Sequence, residues 1–266
     1  MYFDESRLYT PGDDIRNMDW RVTARTGEPH TKIFREERER PVLIWLDLNP
    51  SMFFATRGCF KSVAAAKIAA LLAWSTSAHN DRLGALIFSG EEHIELKPRR
   101  GKSAVLDLIG RTCKHPAWQH GHSTQPRNTA HAMSRLRKVT RPGSLVFLIS
   151  DFRDINEQAE SHLINVARHN DVVLIQVYDP VEAELPPAGS YKVSDGSNDL
   201  QLNTGDRRLR QEYRQRFELR QARLAKLCRQ HRMFLLPVST AEDVLTAMQQ
   251  GLGIPASKHA QFRAGR

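Results

Sequence analysis

Val42-Leu43-Ile44-Trp45-Leu46 is apolar at every position, follows Pro41 and stops at Asp47. A run that short, with neither face polar, predicts a strand buried on both sides, as in the middle of a parallel sheet. Arg82 to Phe88 and Ser144 to Ser150 repeat the pattern, the first ending at Ser89-Gly90 and the second at Asp151. Asp171 to Tyr178 and Met233 to Val238 read as further strands, and His93 to Leu96 alternates as an edge strand does. Between them, Lys61 to His79, Lys102 to Cys113, Thr129 to Val139, Asn156 to His169, Gly205 to His231 and Ala241 to Gln250 carry helical spacing. Lys114 to Asn128, with two prolines and Gly121, predicts a loop, and Tyr191 to Thr204 a small hairpin turning at Asp195-Gly196-Ser197-Asn198.

Strands alternating with helices at this rhythm predict an α/β fold, a doubly wound and mainly parallel sheet flanked by helices. Ligands of such sheets sit beyond the carboxyl ends of the strands, where the strand order switches. Two predicted strands end in carboxylates, Asp47 and Asp151, and they mark the place to look for chemistry. Residues 1–40 are polar and turn-rich and read as an N-terminal segment packed on the core. Residues 41–254 read as the α/β domain, with the hairpin inserted near 191–204, and 255–266 as a flexible tail.

Composition narrows the class. With 40% hydrophobic and 26% charged residues among 266, the chain has material for a core and is not disordered throughout. Its three cysteines, Cys59, Cys113 and Cys228, are widely spaced and form no framework, which fits a reducing compartment. No apolar run reaches the ~18 residues that span a bilayer, and the N-terminus lacks the plan of a signal peptide, so a cytoplasmic protein is expected. The net charge of +9 gathers between Arg207 and Arg232, where ten Lys and Arg face only Glu212 and Glu218. That segment has two readings, the solvated face of a helix or a nucleic-acid site.

Asp47, Asn49 and Ser51 alternate along the loop that leaves the first central strand, so their side chains point the same way. All three offer hard oxygen donors, suited to Mg²⁺ or Ca²⁺ and poorly suited to zinc, and Asp151 supplies a second carboxylate. The same spacing is also ordinary turn and N-cap chemistry. Cys113, His115, His120, His122 and His131 fall around one loop but lack the ligand spacing of a zinc site. There is no Gly-x-Ser-x-Gly elbow, Walker loop or Gly-x-Gly-x-x-Gly, and the chain is read as no enzyme. Trp45 and Trp74 read as core. Asp13, Asp14 and Asp19, with Arg16 and Trp20, form either a partner-recognition element or a local framework in which Trp20 anchors the N-terminal segment.

The stretch from Arg7 to Trp20, with Pro11-Gly12-Asp13-Asp14 and Asp19-Trp20, resembles the signature of the bacterial family called domain of unknown function 58. The run Glu36-Glu37-Arg38-Glu39, then Asp47 to Phe53, Asp81-Arg82-Leu83-Gly84 and Ser150-Asp151-Phe152, extends the likeness to about Tyr178. The resemblance implies a von Willebrand factor A-like fold with a metal-ion-dependent adhesion site. It places Asp47, Asn49 and Ser51 in the Asp-x-Ser-x-Ser motif and Asp151 at the distal aspartate, around Mg²⁺ or another divalent ion (Ca²⁺, Mn²⁺). Asn49 stands where that motif prefers serine. The distal threonine position falls on Arg127, flanked by Thr124 and Thr129; Thr124 is taken as the ligand, with Arg127 able to plug the site or face a partner. Members of this family often neighbour a MoxR-type AAA+ ATPase, which implies an adaptor acting beside that ATPase on a client protein. The alternative is a basic nucleic-acid-binding protein using Arg207 to Arg232.

Overall fold

The computed structural model describes residues 2–35, 40–90, 92–119, 129–153, 155–194 and 199–253. They fall into two compact units, Met1–Glu39 and Arg40–Arg266. In the first, β1 (Tyr2–Leu8) pairs antiparallel with β2 (His30–Arg35), and α1 (Trp20–Thr26) lies between them in sequence. The sequence shows only turns and charges here. Asp4, Glu5 and Arg7 interrupt any apolar pattern in β1, so the strand leaves no hydrophobic signal to read. Trp20 opens α1, with Asp19 as its N-cap.

In the second unit β3 (Pro41–Asp47) leads to α2 (Lys61–Ala78), β4 (Arg82–Ser89), β5 (Glu92–Arg99), α3 (Lys102–Cys113) and α4 (Thr129–Val139). Next come β6 (Leu145–Ser150), α5 (Glu157–Ala167), β7 (Asp171–Tyr178) and a short α6 (Pro180–Ala183). A hairpin of β8 (Ser190–Ser194) and β9 (Asp199–Asn203) precedes α7 (Arg207–Gln230), β10 (Phe234–Ser239) and α8 (Val244–Gly251). The expected turn at residues 195–198, most of the loop at 120–128 and the tail at 255–266 lie outside the described residues.

The six-stranded sheet runs β10-β7-β6-β3-β4-β5, parallel except for β5, which joins β4 antiparallel. This is the doubly wound, mainly parallel fold that the alternation of strands and helices predicts. Side chains of β3 alternate between two buried layers. Val42, Ile44 and Leu46 pack with α2, α3 and α8, whereas Leu43 and Trp45 pack with α4, α5 and α7. Trp45 is wholly buried against Phe88, but Trp74, also expected in the core, is 43% exposed on the outer side of α2. In α2 the buried face is made instead by Ile68 and Leu72 among four small alanines, Ala64, Ala65, Ala69 and Ala73. Both edge strands of this sheet carry a proline, Pro98 in β5 and Pro237 in β10.

From β3 the chain moves outward to β4 and β5; from β6 it moves the other way, to β7 and β10. The two series diverge between β3 and β6, so the switch point lies between the ends that carry Asp47 and Asp151.

Candidate site at the switch point

Leu46 of β3 lies opposite Ile149 of β6, which sets Asp47 beside Ser150. The Ser150 hydroxyl donates to Asp47 Oδ2 at 2.5 Å and accepts from the Phe152 amide at 3.1 Å. Phe152 has φ +48°, a left-handed conformation uncommon for a residue with a bulky side chain, so the backbone bends sharply just after Asp151. Asp47 Oδ1 accepts from the Asn49 amide at 2.8 Å, an Asx turn that fixes the loop leaving β3. The Asn49 side-chain oxygen in turn accepts from Gly90 N–H at 2.8 Å. Of the two readings the sequence offers, these bonds are turn chemistry, and they engage the Asn49 side-chain oxygen.

Asp47, Asn49, Thr129, Ser150, Asp151, Phe152, Arg153 and Ile155 line a cavity of about 10 Å³. That is room for about one water or one small ion. Its donors are carboxylate, amide and hydroxyl oxygens, the set that suits Mg²⁺ or Ca²⁺. Ser51 is not among the lining residues; its Oγ is buried and has no hydrogen-bond partner among the described residues, an uncommon state for a hydroxyl. Thr124 and Arg127 lie outside the described residues; among the described residues Thr129, at the head of α4, is the threonine that lines the cavity. Among the described residues no group of three or more His, Cys, Asp or Glu side chains is gathered for a metal. His120 and His122 lie outside them, and the His115 ring is buried with Nδ1 accepting from the Ala117 amide.

The residue that sequence reasoning missed is Lys61. Its ammonium is wholly buried and donates to Asp151 Oδ2 at 2.9 Å and to Glu182 Oε1 at 2.7 Å. A lysine as first residue of a helix opposes the helix dipole, and that anomaly was readable as a demand for nearby acids. Glu182 closes a capping box with Asp179: the Asp179 amide donates to Glu182 Oε2 at 3.1 Å, and Asp179 caps α6. Asp179 also receives the Thr56 amide at 2.8 Å, the Thr56 hydroxyl and the Thr240 hydroxyl at 2.9 Å. Burial acts to raise its pKa, but the donors from Thr56, Val181 and Thr240 outweigh it and hold the carboxyl below its ordinary value of 3.8.

The acidic residues of the first unit do local work. Asp13 pairs with Arg7 at 2.7 Å, Asp14 accepts from the Arg16 amide, and Asp19 caps α1 and takes the Ser6 hydroxyl at 2.8 Å. Along α7, Arg208 pairs with Glu212, Arg214 with Glu218, Arg223 with Glu160 and Arg210 with Glu184.

Fold and site together define a doubly wound, mainly parallel α/β domain with its polar centre at the sheet's switch point. The chain belongs to the family described as "Protein of unknown function DUF58", whose model matches residues 5–223. Uncharacterized proteins of Mycobacterium bovis and Mycobacterium tuberculosis are 36% identical to it over 198 residues, which is 73% of this chain and 60% of theirs. The chain thus spans about 60% of the length of those curated relatives. Among solved structures, the conserved hypothetical protein BatB from Bacteroides thetaiotaomicron shares the fold with a TM-score of 0.53 at 16% identity, over 80% of this chain and 97% of that one. An aerotolerance-related membrane protein from Bacteroides fragilis does so with a TM-score of 0.53 at 14% identity, over 80% and 98%. No helix among the described residues of the present chain is long and apolar enough to cross a membrane.

Proposed function

We propose that this chain is a non-enzymatic interaction module that holds a small divalent cation, Mg²⁺ or failing that Ca²⁺ or Mn²⁺, at the switch point and uses it to engage a partner. The supporting observation is the single-ion-sized cavity lined by oxygen donors from Asp47, Asn49, Thr129, Ser150 and Asp151. Asp47 and Asp151 would carry the charge of the site, and Ser150 and the Asn49 amide keep Asp47 oriented. A bound ion would supply an open coordination position for an acidic side chain of the partner. By family resemblance the partner is a MoxR-type AAA+ ATPase or its client, met in the cytoplasm during assembly or maturation of the client. The nucleic-acid reading has less support, because four arginines of α7 are engaged by glutamates.

Isothermal titration of Mg²⁺ and Mn²⁺ into the wild type and Asp47→Ala tests the cation. Saturable binding lost in the variant supports the reading, and identical weak heats from both would sink it. A pull-down from extract with and without chelator tests the partner, and capture indifferent to both chelator and Asp47→Ala counts against the mechanism.

A further inference from the structure

Lys61 stands where a lysine is costly. It is the first residue of α2, at the positive end of the helix dipole, and no part of it reaches solvent. The backbone that delivers it is fixed: Thr56 is bound to Asp179, Gly58 lies against the Thr240 carbonyl, and the Lys61 amide donates to Phe54 O at 3.2 Å. Its ammonium therefore cannot swing away to water, and it reaches two acids at once. One of them, Asp151, lines the single-ion cavity; the other, Glu182, does not.

We propose that Lys61 is an internal competitor for the cation of this site: its ammonium gives Asp151 the positive charge a divalent ion would bring, and thereby keeps the affinity for that ion low. The inference rests on the cation reading above. Two cations that share one buried carboxylate repel each other where water screens poorly. Glu182 makes the exchange feasible. When Asp151 turns to an incoming ion, the lysine keeps one acid and is not left buried and unpaired, the state that makes broken buried pairs so costly. Arg153, 3.7 Å from Glu182, adds a further positive group on the same side. Lys61 thus acts on the cation in two ways, through the Asp151 carboxylate they share and by like-charge repulsion, without touching it.

The test compares Mn²⁺ affinity, by titration calorimetry, in wild type, Asp47→Ala and the double variant Lys61→Met with Glu182→Gln. The double variant removes one positive and one negative charge, so the net charge of the site is unchanged and only the local ammonium is lost. Binding at least about tenfold tighter than wild type is expected. Equal or weaker binding in the double variant, with Asp47→Ala abolishing it, overturns the competition and leaves the cation reading standing. Heats that are the same in all three overturn both. If the double variant does not fold, the wild type suffices. Mg²⁺ titration followed by NMR should then move the Lys61 ¹⁵Nζ signal together with the Asp47 and Asp151 amides. An unmoved Lys61 signal beside moving amides overturns the competition, and stillness of all of them overturns both.

Discussion

Gly58 passes so close beneath the carbonyl of Thr240 that a Cβ at position 58 would overlap that oxygen, and its φ of +76° is one that glycine alone adopts freely. Two independent constraints thus meet in the loop that carries Lys61 into α2. Gly58→Ala should lower stability by about 2–3 kcal/mol, through steric overlap and backbone strain together. Urea denaturation of wild type and variant checks this; a loss below the error of the fit would mean the loop relaxes freely.

Asp179 links the same loop to the ends of β7 and β10, and its pKa is depressed in the fold. A depressed carboxyl stabilises the protein fully above its unfolded value near 3.8 and loses that contribution as pH falls through the folded value. Asp179→Asn should therefore cost about 2 kcal/mol at neutral pH, the scale of hydrogen bonds to a charged group, and progressively less in acid. Denaturant titrations of both proteins across that range give the difference directly. A gap that stays constant down to the most acid point would assign the loss to packing instead of charge.

Ser150→Ala removes the hydroxyl that joins the Phe152 amide to Asp47. Loss of stability of about 1–3 kcal/mol is expected, since two partners each lose a bond at a buried position. In hydrogen exchange the Phe152 amide should lose protection more than amides in the middle of β6 do.

Cys228 is buried, and burial pushes its thiol up to about 11, whereas Cys113 is exposed at the end of α3. A maleimide or disulfide reagent at neutral pH should label Cys113 quickly and Cys228 only on unfolding. Peptide mapping of the labelled protein distinguishes them, and early labelling of Cys228 would show that α7 opens easily.

The central strands were legible because Val42 to Leu46 and Val146 to Ile149 are buried on both faces, and burial of that kind leaves a continuous apolar run. Asp47 and Asp151 were legible for a topological reason, since strand ends beside a switch point are where polar side chains can be both buried and reachable. β1 and β2 were not legible: their pairing is written in backbone bonds, which any sequence without proline can make. Lys61 escaped because its partners come from far along the chain, Asp151 ninety residues and Glu182 121 residues away. No periodicity records a contact of that length. Trp74 misled for the opposite reason, because an aromatic on a helical stripe is a sign of core only on the side where the sheet lies.

Pro98 and Pro237 have a consequence for how this domain meets other proteins. Each takes a backbone donor from an outer strand of the central sheet, and in β5 charged side chains flank the proline as well. Strand-on-strand addition is thereby discouraged at both sides, which guards against fibrillar self-association during folding. Recognition by extending the sheet is discouraged in the same way.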